Sequence, residues 1–300
     1  MNALKLLPNV VQSRIDTQVS TRLDEGVANT LWLTMNKARA GQTQNFSVEL
    51  LNSIRGLLQG IRHDDATPPH DAKKAIQYMV LRSAHPEYFS LGGDLAHFHD
   101  CIARRDRAGL YQYARLCLDM MYEWATTLNS NMTTIALVQG RALGGGFEAA
   151  LSADFLIAEE HSEFGFPEIL FGLFPCTGGM SLLARRIGVY QAEKMMTNGR
   201  VYSAPELKEI GVIDEVCARG EGDLAVEKFI AAHAKYRTAR MMVQNSRHRT
   251  APLDYAELLR VVDDWVETAM ELGAQELRVM EMLIRMQAGL RERPELRRAS

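Results

Sequence analysis

Apolar positions recur along this chain with two different periods. Between Ser13 and Met35 they alternate: Ile15, Val19, Thr21 and Leu23 precede an Asp24-Glu25-Gly26 turn, and Leu31, Leu33 and Met35 share one face beyond it. That spacing predicts a β-hairpin or meander. From Phe46 to Ile61 the period changes, with Leu50, Ile54, Leu57, Leu58 and Ile61 at helical intervals, and an amphipathic helix follows. HDDATPPHDAKK is then a polar loop. Ala75 to Arg82 is almost continuously apolar, as expected of a strand covered on both faces in a parallel sheet. It leads into Phe89-Ser90-Leu91-Gly92-Gly93-Asp94-Leu95, a glycine turn at the strand's carboxyl end, where open α/β sheets place ligands.

The second half repeats the alternation of strand and helix. Leu110, Tyr113, Ala114, Cys117, Met121, Trp124, Ala125 and Leu128 predict a long helix, and Thr134 to Val138 the strand that succeeds it. The stretch from Ile135 to Cys176 then holds a Gly144-Gly145-Gly146 run at a helix entrance, Glu148 just inside that helix, a second strand, and Glu168 in Phe-Pro-Glu. Ser203-Ala204-Pro205-Glu206 reads as a capping box, Gly211 as the stop of the helix it opens, and Val212 to Cys217 as a short strand. Beyond Leu224 the apolar positions, Leu258, Val262, Trp265, Val266 and Ala269 and then Leu277, Met280, Ile284 and Ala288, are helical throughout. Faces that wide need covering, and a neighbouring subunit is one way to cover them. Residues 1–12 carry no pattern and are read as a flexible start.

Composition narrows the functional classes. With 47% hydrophobic and 24% charged residues, 300 residues suffice for one large α/β domain with an appendage. A net charge of −3 offers no general attraction to nucleic acid or to an anionic membrane. The four cysteines, Cys101, Cys117, Cys176 and Cys217, contain no C-x-x-C, which argues against a disulfide framework or a zinc knuckle. No signal-peptide core or spanning apolar run is present, so the expectation is a soluble cytoplasmic protein without membrane insertion.

The chemistry-bearing residues gather around the glycines. A triple glycine at a helix entrance bares backbone N–H groups, and the helix dipole there favours developing negative charge, which is half of an oxyanion hole. Glu148 stands among Phe147, Ala149, Ala150 and Leu151, where a carboxylate is costly unless paired or used. With Glu168 on another element it forms a candidate acid/base pair. A rival reading exists: Gly144, Gly146 and Ala149 match the dinucleotide-binding G-x-G-x-x-A, with Glu159 and Glu160 after the next strand. Against it, five residues, Gln139 to Leu143, separate the preceding strand from the first glycine. The Phe164, Phe166, Leu170, Phe171, Leu173 and Phe174 cluster reads as core, although an acyl tunnel has the same composition. His97 and His99 do not share a helix face and make no metal pair, and Cys176 reads as an inert thiol with only His161 as a distant candidate base.

FSLGGD, ALVQGRALGGGFEAALSADFLIAEE and FGFPEILFGLFP, in that order, resemble the crotonase (enoyl-CoA hydratase/isomerase) superfamily over roughly Leu31 to Cys217. LGGD, PEILFGLFP and the tail WVETAMELGAQELRVMEMLIRMQ are moreover similar to the diffusible-signal-factor synthases of Gram-negative bacteria. The resemblance implies an α/β fold: a crotonase-like spiral of β-β-α units over residues 13–219. A helical C-terminal region over 220–300 would serve oligomerisation and close an acyl pocket. It implies an oxyanion hole of the Gly93 and Gly145 amides, Glu148 and Glu168 as acid and base, and Leu143, Gly144, Thr177, Trp265 and Leu283 against the substrate. The implied activity is dehydration of a 3-hydroxyacyl thioester on acyl carrier protein to the cis-2-enoyl form. Thioester hydrolysis then releases a cis-2-unsaturated fatty acid signal. No metal or cofactor is implied beyond the acyl-carrier-protein or CoA thioester itself. The implied partners are acyl carrier protein, further copies in a trimer or dimer of trimers, and the receiver region of a sensor kinase. The alternatives are an enoyl-CoA hydratase or isomerase acting on CoA thioesters, and a scaffold of this fold that only binds a kinase. LGGD stands where general hydratases commonly have AGAD, which favours the signal-synthase branch.

Overall fold

Alternating apolar residues build β1 (Val19–Asp24) and β2 (Thr30–Met35) into an antiparallel hairpin, its turn held by Gly26 N–H donating to Asp24 Oδ1 at 3.0 Å. The computed structural model describes residues 18–38, 43–65, 75–126 and 132–289. The flexible start expected over 1–12, the first residues of the predicted hairpin, most of the polar loop and Leu128 lie outside them. From β2 the sheet continues in parallel through β3 (Tyr78–Ser83), β5 (Thr133–Val138), β7 (Phe155–Glu159) and β10 (Glu215–Cys217), giving six strands in the order β1-β2-β3-β5-β7-β10. Short strands β4 (Tyr88–Ser90), β6 (Arg141–Leu143), β8 (Glu163–Gly165) and β9 (Val201–Ser203) form a second sheet in that order, parallel except for the β8–β9 pair. Each of β3, β5 and β7 is thus followed by a short strand in the other sheet and then by helix, the spiral of β-β-α units that the resemblance implies.

The helices are α1 (Val48–Asp65), α2 (Leu95–Ala103), α3 (Arg107–Thr126), α4 (Gly145–Leu151), α5 (Gly179–Ile187), α6 (Val189–Thr197), α7 (Ala204–Glu209), α8 (Gly222–Ala234), α9 (Arg237–Thr250), α10 (Tyr255–Glu271) and α11 (Ala274–Gly289). A 3-10 turn spans Pro167–Phe171. On one face of the large sheet, Leu31, Leu33, Leu81 and Val138 join the core that includes Leu118, Met121 and Trp124 of α3 and Leu258, Val262 and Val266 of α10. On the other face, Trp32, Tyr78, Val80, Ile135, Leu137 and Ile157 pack with Val226 and Ile230 of α8. Burial from both sides is why β3 and β5 read as unbroken apolar runs. Each fully buried large side chain contributes about 1.5–3 kcal/mol. The C-terminal helices are part of this packing: α10 lies along α3, with the Tyr122 and Tyr255 rings edge to face at 5.0 Å.

Three boundaries differ from the periodicity, each for a hydrogen-bonding reason. Phe46 is not helical: its N–H donates to Gly92 O at 2.9 Å in a lone parallel bridge, and α1 begins at Val48. The strand expected from Ala75 starts at Tyr78, opposite Thr30, because the Gln77 amide also donates to Asn29 O and so falls outside the ladder register. The strand expected from Val212 shortens to Glu215–Cys217, since the Val212 and Ile213 amides donate to Leu207 O and finish α7. At the other end of α7, Ser203 and Glu206 form the expected capping box and Gly211 takes φ 80° beyond the helix.

Candidate active site

Two glycine turns from successive spiral units meet at one point. The Ser90–Asp94 turn after β4 is fixed from outside itself: Leu91 N–H donates to Gln44 O at 2.8 Å, and Asp94 N–H to Tyr113 Oη at 3.0 Å. Tyr113, from α3, in turn donates to Phe46 O. Gly92 N–H donates to Ser90 Oγ at 3.2 Å, so the amides on both sides of Gly93 are engaged and Gly93 N–H is left without a partner among the described residues. Gly145 N–H, the first amide of α4, is likewise unpaired, as expected in the first turn of a helix. A Cβ built on Gly145 would stand 3.6 Å from Gly93 N, so the two donors are neighbours. The approach depends on missing side chains: on Gly146 a Cβ would come within 2.4 Å of Ser90 O.

Glu148 lies one turn into α4 and is 2% exposed. Both of its carboxylate oxygens are occupied. Oε1 accepts from Thr177 N–H at 2.9 Å and Gly179 N–H at 2.8 Å, and Oε2 accepts from Thr177 Oγ1 at 2.7 Å. The Gly179 amide opens α5, so a helix N-terminus faces the acid. Burial raises the Glu148 pKa, and those three donors oppose the rise by stabilising the ionised form.

Glu168 is placed by the 3-10 turn, with Pro167 at its start. The residue as a whole is half-buried, but Oε2 is enclosed and has no hydrogen-bond partner among the described residues. Burial first, and the neighbouring Glu148 charge second, push its pKa up to about 8. The two carboxyl groups therefore sit in opposite settings: one is ringed by three donors that favour its ionised form, and the other has an enclosed oxygen with no donor and a raised pKa. Gly144, at φ 52°, makes room for the second, since a Cβ there would lie 2.3 Å from Glu168 Oε1.

Glu148, Glu168, Gly93 and Gly145 all line one cavity of about 50 Å³. Its remaining wall is largely apolar and includes Phe46, Leu51, Phe98, Met120, Met121 and Trp265. Trp265, brought in by α10, stands edge to face on Phe98 at 5.1 Å and is 2% exposed. Of the other residues expected against a substrate, Thr177 lines the cavity but spends its polar atoms on Glu148. Leu143 and Gly144 are not among the lining residues: Gly144 backs Glu168, and Leu143 O lies behind Gly92. Leu283 packs beside the core and does not reach the cavity. Tyr113, Met120 and Leu51 were missed as site residues: Tyr113 was read only as part of a helix face, and Met120 and Leu51 stand outside the periodic positions that were singled out.

The competing constellations dissolve. Glu159 is buried and accepts from Gln139 Nε2 at 2.9 Å and Gly222 N–H at 3.2 Å, so it is no ribose-binding acid. In the aromatic cluster, Phe166 stacks on Phe147 and Phe164 tilts against it, Phe174 lines the cavity, and Leu170 is exposed. Cys176 is in the cavity wall, with its thiol pKa raised well up by burial, while His161 stands beside Glu159. His97 and His99 turn to Cys101 and Glu281 respectively. Among the described residues no group of His, Cys, Asp or Glu could hold a metal ion, and no helix is long and apolar enough to cross a membrane.

Comparison with known proteins identifies the family and the fold. The family model for enoyl-CoA hydratase/isomerase matches residues 66–260. A probable enoyl-CoA hydratase of Rhizobium meliloti (strain 1021) is 30% identical over 232 residues, covering 76% of this chain and 85% of that protein. The 2,3-dehydroadipyl-CoA hydratase of Escherichia coli (strain K12) is 30% identical over 197 residues, covering 65% and 68%. Among solved structures, enoyl-CoA hydratase from Bacillus halodurans superposes with a TM-score of 0.70 at 22% identity, over 88% of this chain and 99% of that one. Human mitochondrial delta3-delta2-enoyl-CoA isomerase gives 0.71 at 18% identity, over 91% and 99%. At those identities the structures speak for the fold, and the family match speaks for descent: the chain belongs to the enoyl-CoA hydratase/isomerase family of the crotonase superfamily.

Proposed function

We propose that this protein adds or removes water across the C2–C3 bond of an acyl thioester. The observation that carries the reading is a pair of carboxyl groups in opposite settings, facing one apolar cavity beside two unpaired backbone amides. The thioester oxygen would accept from Gly93 and Gly145 N–H. Charge gathers on that oxygen in the enolate, so fixed donors there lower the barrier by several kcal/mol. In the hydration direction, neutral Glu168 gives its proton to C2, and ionised Glu148 takes one from the water adding at C3. Elimination needs the complementary pair, reached by passing the single shared proton from one carboxyl to the other.

A second, finer reading is supported by LGGD and by the tail around Trp265, which resemble the signal synthases. On that reading the substrate is a 3-hydroxyacyl group on acyl carrier protein. After elimination, the same glutamates hold a water that adds to the carbonyl, the C–S bond breaks, the carrier's thiol leaves with a proton, and a cis-2-unsaturated acid is released. The helical C-terminal region would close the acyl pocket through Trp265 and associate with further copies, and a kinase receiver would be a separate partner.

Glu148→Gln and Glu168→Gln should each lower turnover of an enoyl-CoA by about 10²–10⁴-fold. Unchanged rates in both variants would remove the acid/base assignment. Mass spectrometry after incubation with 3-hydroxydodecanoyl thioesters of CoA and of acyl carrier protein separates the two readings. Reversible hydration on CoA without free acid supports the first, and a free enoic acid from the carrier-protein thioester supports the second.

A further inference from the structure

Away from the acid pair, a polar pocket of about 200 Å³ lies where the end of α4 meets α5, α9 and the loop after α7. Arg185, Arg186, Arg247 and His248 line it together with Asp154 and Asp214. We propose that this pocket is a binding site for a phosphate group, held chiefly by Arg185. Neither chemistry nor residues are shared with the acid/base site, so the inference stands apart from the proposed function.

Most of the charges around the pocket are already matched. Asp154, 5% exposed, has both oxygens committed: Oδ1 to Arg247 Nη2 at 2.9 Å and His248 Nε2 at 2.7 Å, and Oδ2 to Thr134 N–H and Oγ1 at 3.0 and 3.1 Å. Asp214 Oδ2 accepts from Arg186 Nη1 at 3.0 Å and from Leu156 N–H at 2.7 Å. The third arginine is left over. Arg185 is half-buried at the end of α5 and makes no hydrogen bond or ion pair among the described residues. Burial lowers its pKa and the repulsion of Arg247 and Arg186 adds to the effect, opposed by the charge of Asp154, whose oxygens are already bonded elsewhere. A partly desolvated cation beside two others is costly until an anion joins it.

Phosphate fits that need better than a monatomic ion does. The guanidinium of Arg185 offers a fork of donors for two oxygens of a tetrahedral anion. Arg186 and Arg247 spend only Nη1 and Nη2 on the protein, so each keeps an Nε–H that is not hydrogen-bonded within the described residues. Free phosphate and a phosphate monoester carry the same group, and both are used in the test.

Thermal unfolding and isothermal titration calorimetry would be run on the full chain with inorganic phosphate and with glycerol 3-phosphate, against chloride at matched ionic strength. Either phosphate should bind saturably and raise Tm. Tighter binding of the monoester would assign the site to a phosphorylated metabolite, and tighter binding of inorganic phosphate to the free ion. Arg185→Gln should weaken binding at least ten-fold while enoyl-thioester turnover stays at the wild-type rate. Should that variant not fold, ³¹P line broadening of inorganic phosphate by the wild-type protein, relieved by sulfate and not by chloride, carries the test. The proposal is overturned if phosphate and chloride act alike on the wild-type protein, or if folded Arg185→Gln binds phosphate as the wild type does.

Discussion

Thr177→Val removes one hydroxyl and leaves a side chain of nearly the same shape. The hydroxyl donates to Glu148 Oε2 at 2.7 Å, while the backbone donors to Oε1, Thr177 N–H at 2.9 Å and Gly179 N–H at 2.8 Å, survive the change. A hydrogen bond to a charged group contributes about 1.5–3 kcal/mol, and a pKa unit corresponds to about 1.4 kcal/mol. Losing the donor should therefore cost the ionised form about that much and raise the Glu148 pKa further. The sign is fixed: the hydroxyl stabilises the ionised form, so without it Glu148 holds its proton to higher pH. The other titratable groups facing Glu148 are Glu168 on the 3-10 turn, Cys117 on α3 and Cys176. Burial pushes Cys117 to about 12 and raises Cys176 well above the ordinary thiol range, so neither titrates in the range assayed. Glu168 should titrate lower in the variant, because its neighbour carries less charge. The assay is the pH dependence of enoyl-thioester hydration. Its acid limb should move to higher pH in Thr177→Val, with kcat at neutral pH reduced and KM nearly unchanged. Thr177→Ser, which keeps the hydroxyl, should retain the wild-type limb. A folded Thr177→Val with an unmoved acid limb, or a serine variant shifted as far as the valine one, would refute the reasoning.

Other consequences follow from the same geometry. Glu168 binds its proton far more tightly folded, with a pKa of about 8 against an ordinary 4.5, so its contribution to stability is complete below pH 4.5 and lost as pH rises through 8. Glu168→Gln should accordingly gain stability on the wild type as pH rises from 4.5 to 8, by at most a few kcal/mol because the residue is partly open to solvent, seen as a widening Tm difference, and parallel Tm curves would contradict the shift. Gly144→Ala forces a Cβ into Glu168 Oε1 and a non-glycine residue into φ 52°, ψ −127°, a backbone cost of about 1–3 kcal/mol. Turnover should fall at least as far as in Glu168→Gln while the far-ultraviolet circular dichroism is kept. Trp265→Ala should destabilise by about 3–5 kcal/mol, read from urea unfolding, and raise KM for medium-chain thioesters more than it lowers kcat.

What the sequence disclosed depended on the range of the cause. β3 and β5 were legible because sheet faces covered on both sides require apolar residues at every position, and the α7 cap because its three signals fall within four residues. Glu148 was legible as an anomaly, a carboxylate in an apolar run. Its partners were not, since Thr177 and Gly179 arrive from another unit of the spiral and nothing in their own surroundings marks them. Glu159 shows the same limit from the other side: it resembled a ligand until Gly222, distant in sequence, supplied its hydrogen bond. Tyr113 was assigned to a helix face, which is correct, yet its hydroxyl fixes the Gly93 turn, and a periodicity carries no record of a tip atom. The ends of β3 and β10 shifted because Asn29 O and Leu207 O claimed amides that the apolar pattern had given to the ladder.

The site draws Gly93 from the first spiral unit, Gly145 and Glu148 from the second, Glu168 from the third and Trp265 from a helix that closes over them. No contiguous segment contains it. During refolding, turnover must then be the last signal to recover, after far-ultraviolet ellipticity and tryptophan burial, because every long-range closure has to be complete before the two amides and the two carboxyls share a cavity. Catalysis in this architecture doubles as a report on whether the chain has finished winding.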